Sequence, residues 1–237
     1  MNTITLNGVS STTMTGLLIQ ELPAITRPKM RVLQTTVDGR AGDLITDLGY
    51  EAYDREMRIG LHGNFEIDAV IAYFSGSGKA IFSNEPDKLY DYEFIEKVDY
   101  ERLLRFRTAK VRMHVQPYKH SATEGTITQA LTGTSGTFTI TNNGNTASKP
   151  VLDIIGSGTV SVSVPEGNLA RAFSVNMADD AEVIVDTENM EAYYGNALKN
   201  RLVTGNIGRF SLQPGINTIS WDGSISSIDI SGYSRWI

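Results

Sequence analysis

The chain has 237 residues, no cysteine, three histidines and a formal net charge of −6. This length suits one large β domain or two ordinary ones, and 41% hydrophobic with 20% charged residues indicates a packed core. The missing cysteines exclude disulfides, thiolate catalysis and zinc fingers, and the acidic balance argues against sequence recognition of nucleic acid. The opening MNTITLNGVSS has no basic region followed by an apolar run, and the longest apolar run, Ala69–Phe74, is far shorter than a membrane span. A soluble protein without membrane insertion is expected.

Thr3–Leu6 followed by Asn7-Gly8 predicts a hairpin, because this dipeptide accepts the positive φ angles of a type I′ turn. Leu17–Ile19, Arg31–Val37 and Arg55–Leu61 are further strands; the second ends at Asp38-Gly39, and Met57, Ile59 and Leu61 share a face of the third. Glu66–Ser75 is the one good helix, with Ile67, Val70, Ile71 and Phe74 on a single stripe. Ala80–Phe82 and Tyr90–Val98 are again strand-like.

In YERLLRFRTAKVRMHVQPY, Val111, Met113 and Val115 alternate with Lys110, Arg112 and His114, as in a strand with one wet face. Phe106 has the opposite parity, so a bulge or turn must lie near Arg107–Ala109. Arg102, Arg105, Lys110 and Arg112 make this segment a candidate partner or ring interface that could meet acidic neighbours such as Glu51, Asp54 and Glu56; a solvated sheet face is the plainer reading. Lys119–Gly125 loses the pattern and reads as a linker, which divides the chain into 1–122 and 123–237.

Beyond it the strand candidates are Thr137–Thr141, Val151–Ile155, Thr159–Val164, Phe173–Val175, Glu182–Asp186, Phe210–Leu212, Thr218–Trp221 and Ser227–Ile230. Pro214-Gly215 and Asp222-Gly223 read as turns, the latter as a hairpin dipeptide. The spacing predicts a β-sandwich of roughly seven to nine strands.

Chemistry is hard to find. The Gly-Ser-Gly-Lys quartet ending at Lys79 is similar in composition to a phosphate-binding loop, but Ala80 follows where a hydroxyl is needed and the glycines follow a helix instead of opening one. No Gly-x-Ser-x-Gly elbow or HExxH accompanies the histidines. Asp179, Asp180, Asp186, Glu188 and Glu191 are raw material for paired carboxylates, yet no spacing isolates two of them. Tyr193, Tyr194, Trp221, Tyr233 and Trp236 are candidate sugar platforms; Trp221, alternating with Ile219, is better read as core.

Read together, these segments have a family order. TLNGVSSTTMTGLLIQELPAI, VDGRAGDL, the helix with its glycines, HVQPY, Asn142–Pro150 with its Asn-Asn-Gly, Val183-Ile-Val-Asp-Thr187, FSLQPGIN and the closing Arg-Trp resemble the distal tail (Dit) proteins of long-tailed, non-contractile bacteriophages. The resemblance implies a mainly β protein: an N-terminal β-rich ring-forming domain with one helix, then a C-terminal galectin-like β-sandwich. It implies a structural virion protein with no enzymatic activity and no cofactor or metal, assembled in the bacterial host cytoplasm. The expected place is the distal end of the tail, in a homohexameric ring between the major tail protein of the tube and a tail-associated fibre or lysin protein. A receptor-binding protein is a further expected partner. Residues 123–237 leave no room for an inserted carbohydrate-binding module. The alternative is a lectin-like module for host attachment, using Tyr193, Tyr194 or Trp236.

Overall fold

The computed structural model describes residues 1–166, 169–177 and 181–237. It is mainly β and divides into two compact units, Met1–Ala122 with Ile237, and Thr123–Trp236.

In the first unit the elements are β1 (Ile4–Leu6), β2 (Val9–Ser10), β3 (Leu17–Glu21), β4 (Met30–Thr36), β5 (Asp43–Tyr50), β6 (Tyr53–Leu61), α1 (Ile67–Tyr73), β7 (Ser77–Phe82), β8 (Glu85–Glu93), α2 (Tyr100–Phe106) and β9 (Thr108–Ser121). In this unit the antiparallel sheet runs in the order β2-β1-β7-β8-β9-β6-β3. Alternation produces the core: Met57, Ile59 and Leu61 from β6 meet Val111, Met113 and Val115 from β9, with Ile4, Leu6 and Phe82. The first turn is as expected, with Asn7 at φ 50° and Gly8 at 83°.

The glycine-rich stretch after α1 is a helix-to-strand turn with a packing role. Asn7 Oδ1 accepts the Lys79 backbone N–H at 2.8 Å, and a Cβ on Gly78 would lie 1.9 Å from that oxygen. Only glycine leaves room there, so the motif serves β1–β7 packing, and Lys79 pairs with Asp91.

Three expectations for this unit need correction. The segment Tyr100–Phe106 is a second helix, capped by Asp99 and ended by Arg107 in the left-handed region at φ 55°. Only Leu103 of this helix is buried, so no apolar stripe announces it. Residues Lys119–Ser121 are the end of β9, paired with Lys88–Tyr90 of β8, and are not linker. Ile71 on α1 is exposed; Val70 and Phe74 carry the helix into the core.

The second unit contains β10 (Ile127–Ala130), β11 (Ser135–Asn142), β12 (Val151–Glu166), β13 (Leu169–Met177), β14 (Glu182–Asp186), β15 (Glu191–Tyr194), β16 (Ala197–Leu198), β17 (Val203–Gly205) and β18 (Gly215–Ser231). They form one nine-stranded network around the long β12–β18 ladder. The first part of β12 pairs with β14 and the end of β18; its later part pairs with β13 and the middle of β18. Between them the register shifts near Gly156 and after Ser157, so the sheet bends and both parts feed one core.

Four sequence candidates are thus two strands. Val151–Ile155 and Thr159–Val164 fuse into β12, and Thr218–Trp221 and Ser227–Ile230 into β18. Asp222-Gly223 is not a hairpin turn: Gly223, at φ 103°, sits in β18 against the bulge, where a Cβ would lie 2.6 Å from the Thr159 carbonyl oxygen. Phe210–Leu212 is no strand either. Phe210 caps a short 3-10 turn, and Leu212 makes one isolated bridge to Ser148. Asn217 holds the turn at Pro214-Gly215 by accepting from Gln213 N–H and donating to the Gln213 and Gly215 carbonyls.

Candidate interaction surfaces

A feature of the first unit that the sequence does not announce is a buried charge cluster. Arg55 shares the inward parity of Met57 and Ile59 and is only 2% exposed. Its guanidinium lies 4.4 Å from the ring centroids of both Phe82 and Tyr90 and 3.5 Å from Glu85. Glu85 also accepts from Lys119 at 2.9 Å and from the Tyr90 hydroxyl. Burial pushes the Glu85 carboxyl up, but the Tyr90 and Lys119 hydrogen bonds and the two cations outweigh it, leaving its pKa below the usual value.

This cluster holds the root of a projecting element. Arg55 Nη2 donates to the carbonyls of Pro23 and Ala24 at 3.3 and 3.2 Å, and Asn84 Nδ2 donates to Pro23 O at 3.1 Å. Downstream, Glu51 N–H donates to Lys29 O at 2.8 Å, Arg27 donates to the Tyr50 hydroxyl, and the Tyr50 ring packs edge-on against Tyr118.

Beyond this root, β4 and β5 pair, among the described residues, only with each other, as a two-stranded ribbon exposed on both sides. The pairs Leu33–Thr46 and Thr35–Leu44, with Leu48, give one face; Leu33, Leu44 and Leu48 are 55%, 42% and 51% exposed. The opposite face carries Gln34 and Thr36 donating to Asp43, beside Val32 and Ile45. An isolated ribbon of this kind is marginal in water, and leucines are poor solvent-facing residues.

The four basic candidates fall on two elements. Lys110 and Arg112 lie on the wet face of β9, where Lys110 meets Glu56 at 2.6 Å and Arg112 meets Glu56 and Glu96 at 3.3 and 3.1 Å. The Lys110 hydrogen bond is the largest influence holding the Glu56 carboxyl low. His114 likewise meets Asp54 at 2.8 Å, so the acidic neighbours expected across an interface are met within the chain. Arg102 and Arg105 are exposed on α2 and do not continue that strand face; Arg105 lies 5.9 Å over Phe106, itself 64% exposed. Arg58, Lys97, Arg102 and Lys110 surround an open polar hollow of about 490 Å³ that also contains Asp99.

In the second unit Tyr193 and Tyr194 are consecutive on β15, so their rings leave opposite faces, and Trp236 is half-buried near the end of the unit. Trp221 is in the core, against Gly136. Two of the described acids have structural tasks: Asp186 accepts from the N–H groups of Glu188 and Asn189, and Glu188 pairs with Arg235 at 2.8 Å; Glu191 is exposed on β15. Asp179 and Asp180 lie outside the described residues. Among the described residues no group of three metal-ligating side chains converges, and no helix is long and apolar enough to cross a membrane.

This β architecture is shared with a phage distal tail protein of known structure. The chain matches the Dit protein of phage SPP1, described as a paradigm of the hub adsorption apparatus in phages infecting Gram-positive bacteria, with a TM-score of 0.71, 14% identity and 100% of both chains covered. A chain of the phage p2 baseplate in its activated conformation with Sr matches with a TM-score of 0.50, 10% identity and 98% of each chain covered. The likeness is one of fold. No family model and no curated protein matches the sequence.

Proposed function

We propose that this chain is the distal tail hub of a long non-contractile-tailed bacteriophage. Six copies form a ring that joins the tail tube to the tail-tip adhesion apparatus, and the protein has no catalytic task. The observation that carries this reading is the match to the SPP1 hub protein over the full length of both chains. The ribbon β4–β5 supports it physically: a ring subunit needs a surface to offer its neighbour, and this apolar ribbon is uncovered in its own chain. In this reading residues 1–122 build the ring and 123–237 form the outer, galectin-like sandwich. The tube protein, the fibre or lysin protein and a receptor-binding protein are the partners.

Antibody against the chain, gold-labelled on virions of the phage that encodes it, tests the reading. Label confined to the distal tip of the tail is expected. Label along the shaft, on the capsid or nowhere on the particle contradicts it.

A further inference from the structure

Besides the ribbon, the first unit has a second uncovered apolar surface. It is an open groove of about 410 Å³ between α1 and the β1–β2 hairpin, lined chiefly by Leu6, Val9, Met14, Ala69, Ala72 and Tyr73. Tyr73 fixes its floor, donating from its hydroxyl to the Ile4 and Val9 carbonyls at 2.9 and 3.1 Å. Its rim is wet but apolar at Val9, which is 45% exposed. The small side chains of Ala69 and Ala72 leave the depression that bulky residues would fill.

We propose that the leucine face of one copy's β4–β5 ribbon docks in the α1/β1–β2 groove of the next copy. This rests on the ring reading and names its contact. The occupant is a second copy because the ribbon and the groove are different surfaces of the same chain, each apolar and each without cover. A contact between unlike surfaces repeats head to tail, which is how rings close. Charge agrees. Arg31 stands at the root of the leucine face, and Arg40 at the ribbon tip, with its side chain exposed. The groove is flanked by Asp68, exposed one turn before Ala72, and by Glu66, whose side chain makes no capping bond to the helix. Two apolar surfaces of matched character, with Arg31 at the margin of one and Glu66 and Asp68 at the margin of the other, favour one docking orientation over others. The basic helix α2, with exposed Leu104 and Phe106, is the competing receptor.

The absence of native cysteine makes oxidative cross-linking clean. Leu44→Cys and Ala72→Cys single variants are mixed and oxidised, and the linked peptide is identified by mass spectrometry; the double variant is oxidised alone. The proposal expects a Leu44→Cys to Ala72→Cys linked dimer in the mixture and a ladder of oligomers from the double variant. A third variant, Arg105→Cys, offers the α2 surface. Cross-links from Leu44→Cys to Arg105→Cys, or between two Leu44→Cys chains, overturn the proposal. The mass of the unmodified protein in solution separates the two claims. Oligomers lacking the predicted link sink the ribbon-in-groove contact and leave the ring reading standing, whereas a monomer at every concentration counts against both. Unchanged melting temperatures show that the variants are folded.

Discussion

Glu85 accepts a 2.9 Å hydrogen bond from Lys119, with only 11% and 7% of the two side chains exposed. Arg55 completes the cluster from the other side, and all three lie on strands of one sheet. Removing the single anion leaves two buried cations facing each other. Glu85→Gln is therefore expected to cost about 3–5 kcal/mol, read as a lower urea midpoint. Arg55→Met keeps the Glu85–Lys119 pair and should cost less; an Arg55→Met variant less stable than Glu85→Gln would refute this ordering.

The same carboxyl sets an acid limit. Its folded pKa is below the ordinary value of 4.5, so the stability it contributes is complete above that value and is lost as pH falls through the folded pKa. Melting temperatures of wild type should drop below about pH 4 more steeply than those of Glu85→Gln. Parallel curves would show that another group governs the acid transition.

Asp153 has the opposite sign. It lies directly across from Asp229 in the β12–β18 ladder, and its Oδ1 is buried without a partner. Burial, then Glu182 and Asp229, push its pKa up to about 6. The folded state therefore binds the proton more tightly, and stability falls as pH rises from about 4 through 6. Asp153→Asn should stabilise the protein near pH 8 by on the order of 1 kcal/mol, a figure reduced for the solvent that still reaches the group, and should do nothing at pH 3. Equal effects at both pH values would argue against the charge explanation.

Trp221 is 5% exposed inside the second core. Trp221→Ala should cost about 3–5 kcal/mol, the range for a large core aromatic. A variant that unfolds at the wild-type urea concentration would put the ring outside the core.

Trypsin should make its first cut after Arg40, in the exposed connection between β4 and β5, and spare Lys119. Lys119 reads as a linker residue in sequence but is 5% exposed, with its ammonium on Glu85. Early fragments ending at Lys119 would mean that the end of β9 frays.

What the sequence showed and what it concealed follow from the physics of each element. The Asn7-Gly8 hairpin, the inward face of β6 and the burial of Trp221 were legible because turn chemistry and alternation are local. Arg55 was concealed because a guanidinium at an inward position looks like an ordinary charge until Phe82, Tyr90 and Glu85 arrive from elsewhere in the chain. β5 was missed because its ribbon buries neither face, so Leu44 and Ile45 show no single preferred side. α2 was missed because one buried leucine makes no stripe. The long strands β12 and β18 were split at Gly156, Gly158 and Gly223, since a glycine at a bulge and a glycine in a turn read alike. Of the basic candidates, Lys110 and Arg112 were correctly placed on one strand face, but their acidic partners within the chain come from β6 and the segment after β8.

The central claim is that this chain assembles into a closed ring through its first unit. Negative-stain electron microscopy of the purified full-length protein, with class averages, tests it most directly. The account predicts six-fold rings with a central hole that disappear when Leu33, Leu44 and Leu48 are replaced together by serine. Rings that persist unchanged in that triple variant would sink the ribbon contact, and wild-type particles that are single chains or two-fold dimers would contradict the ring itself.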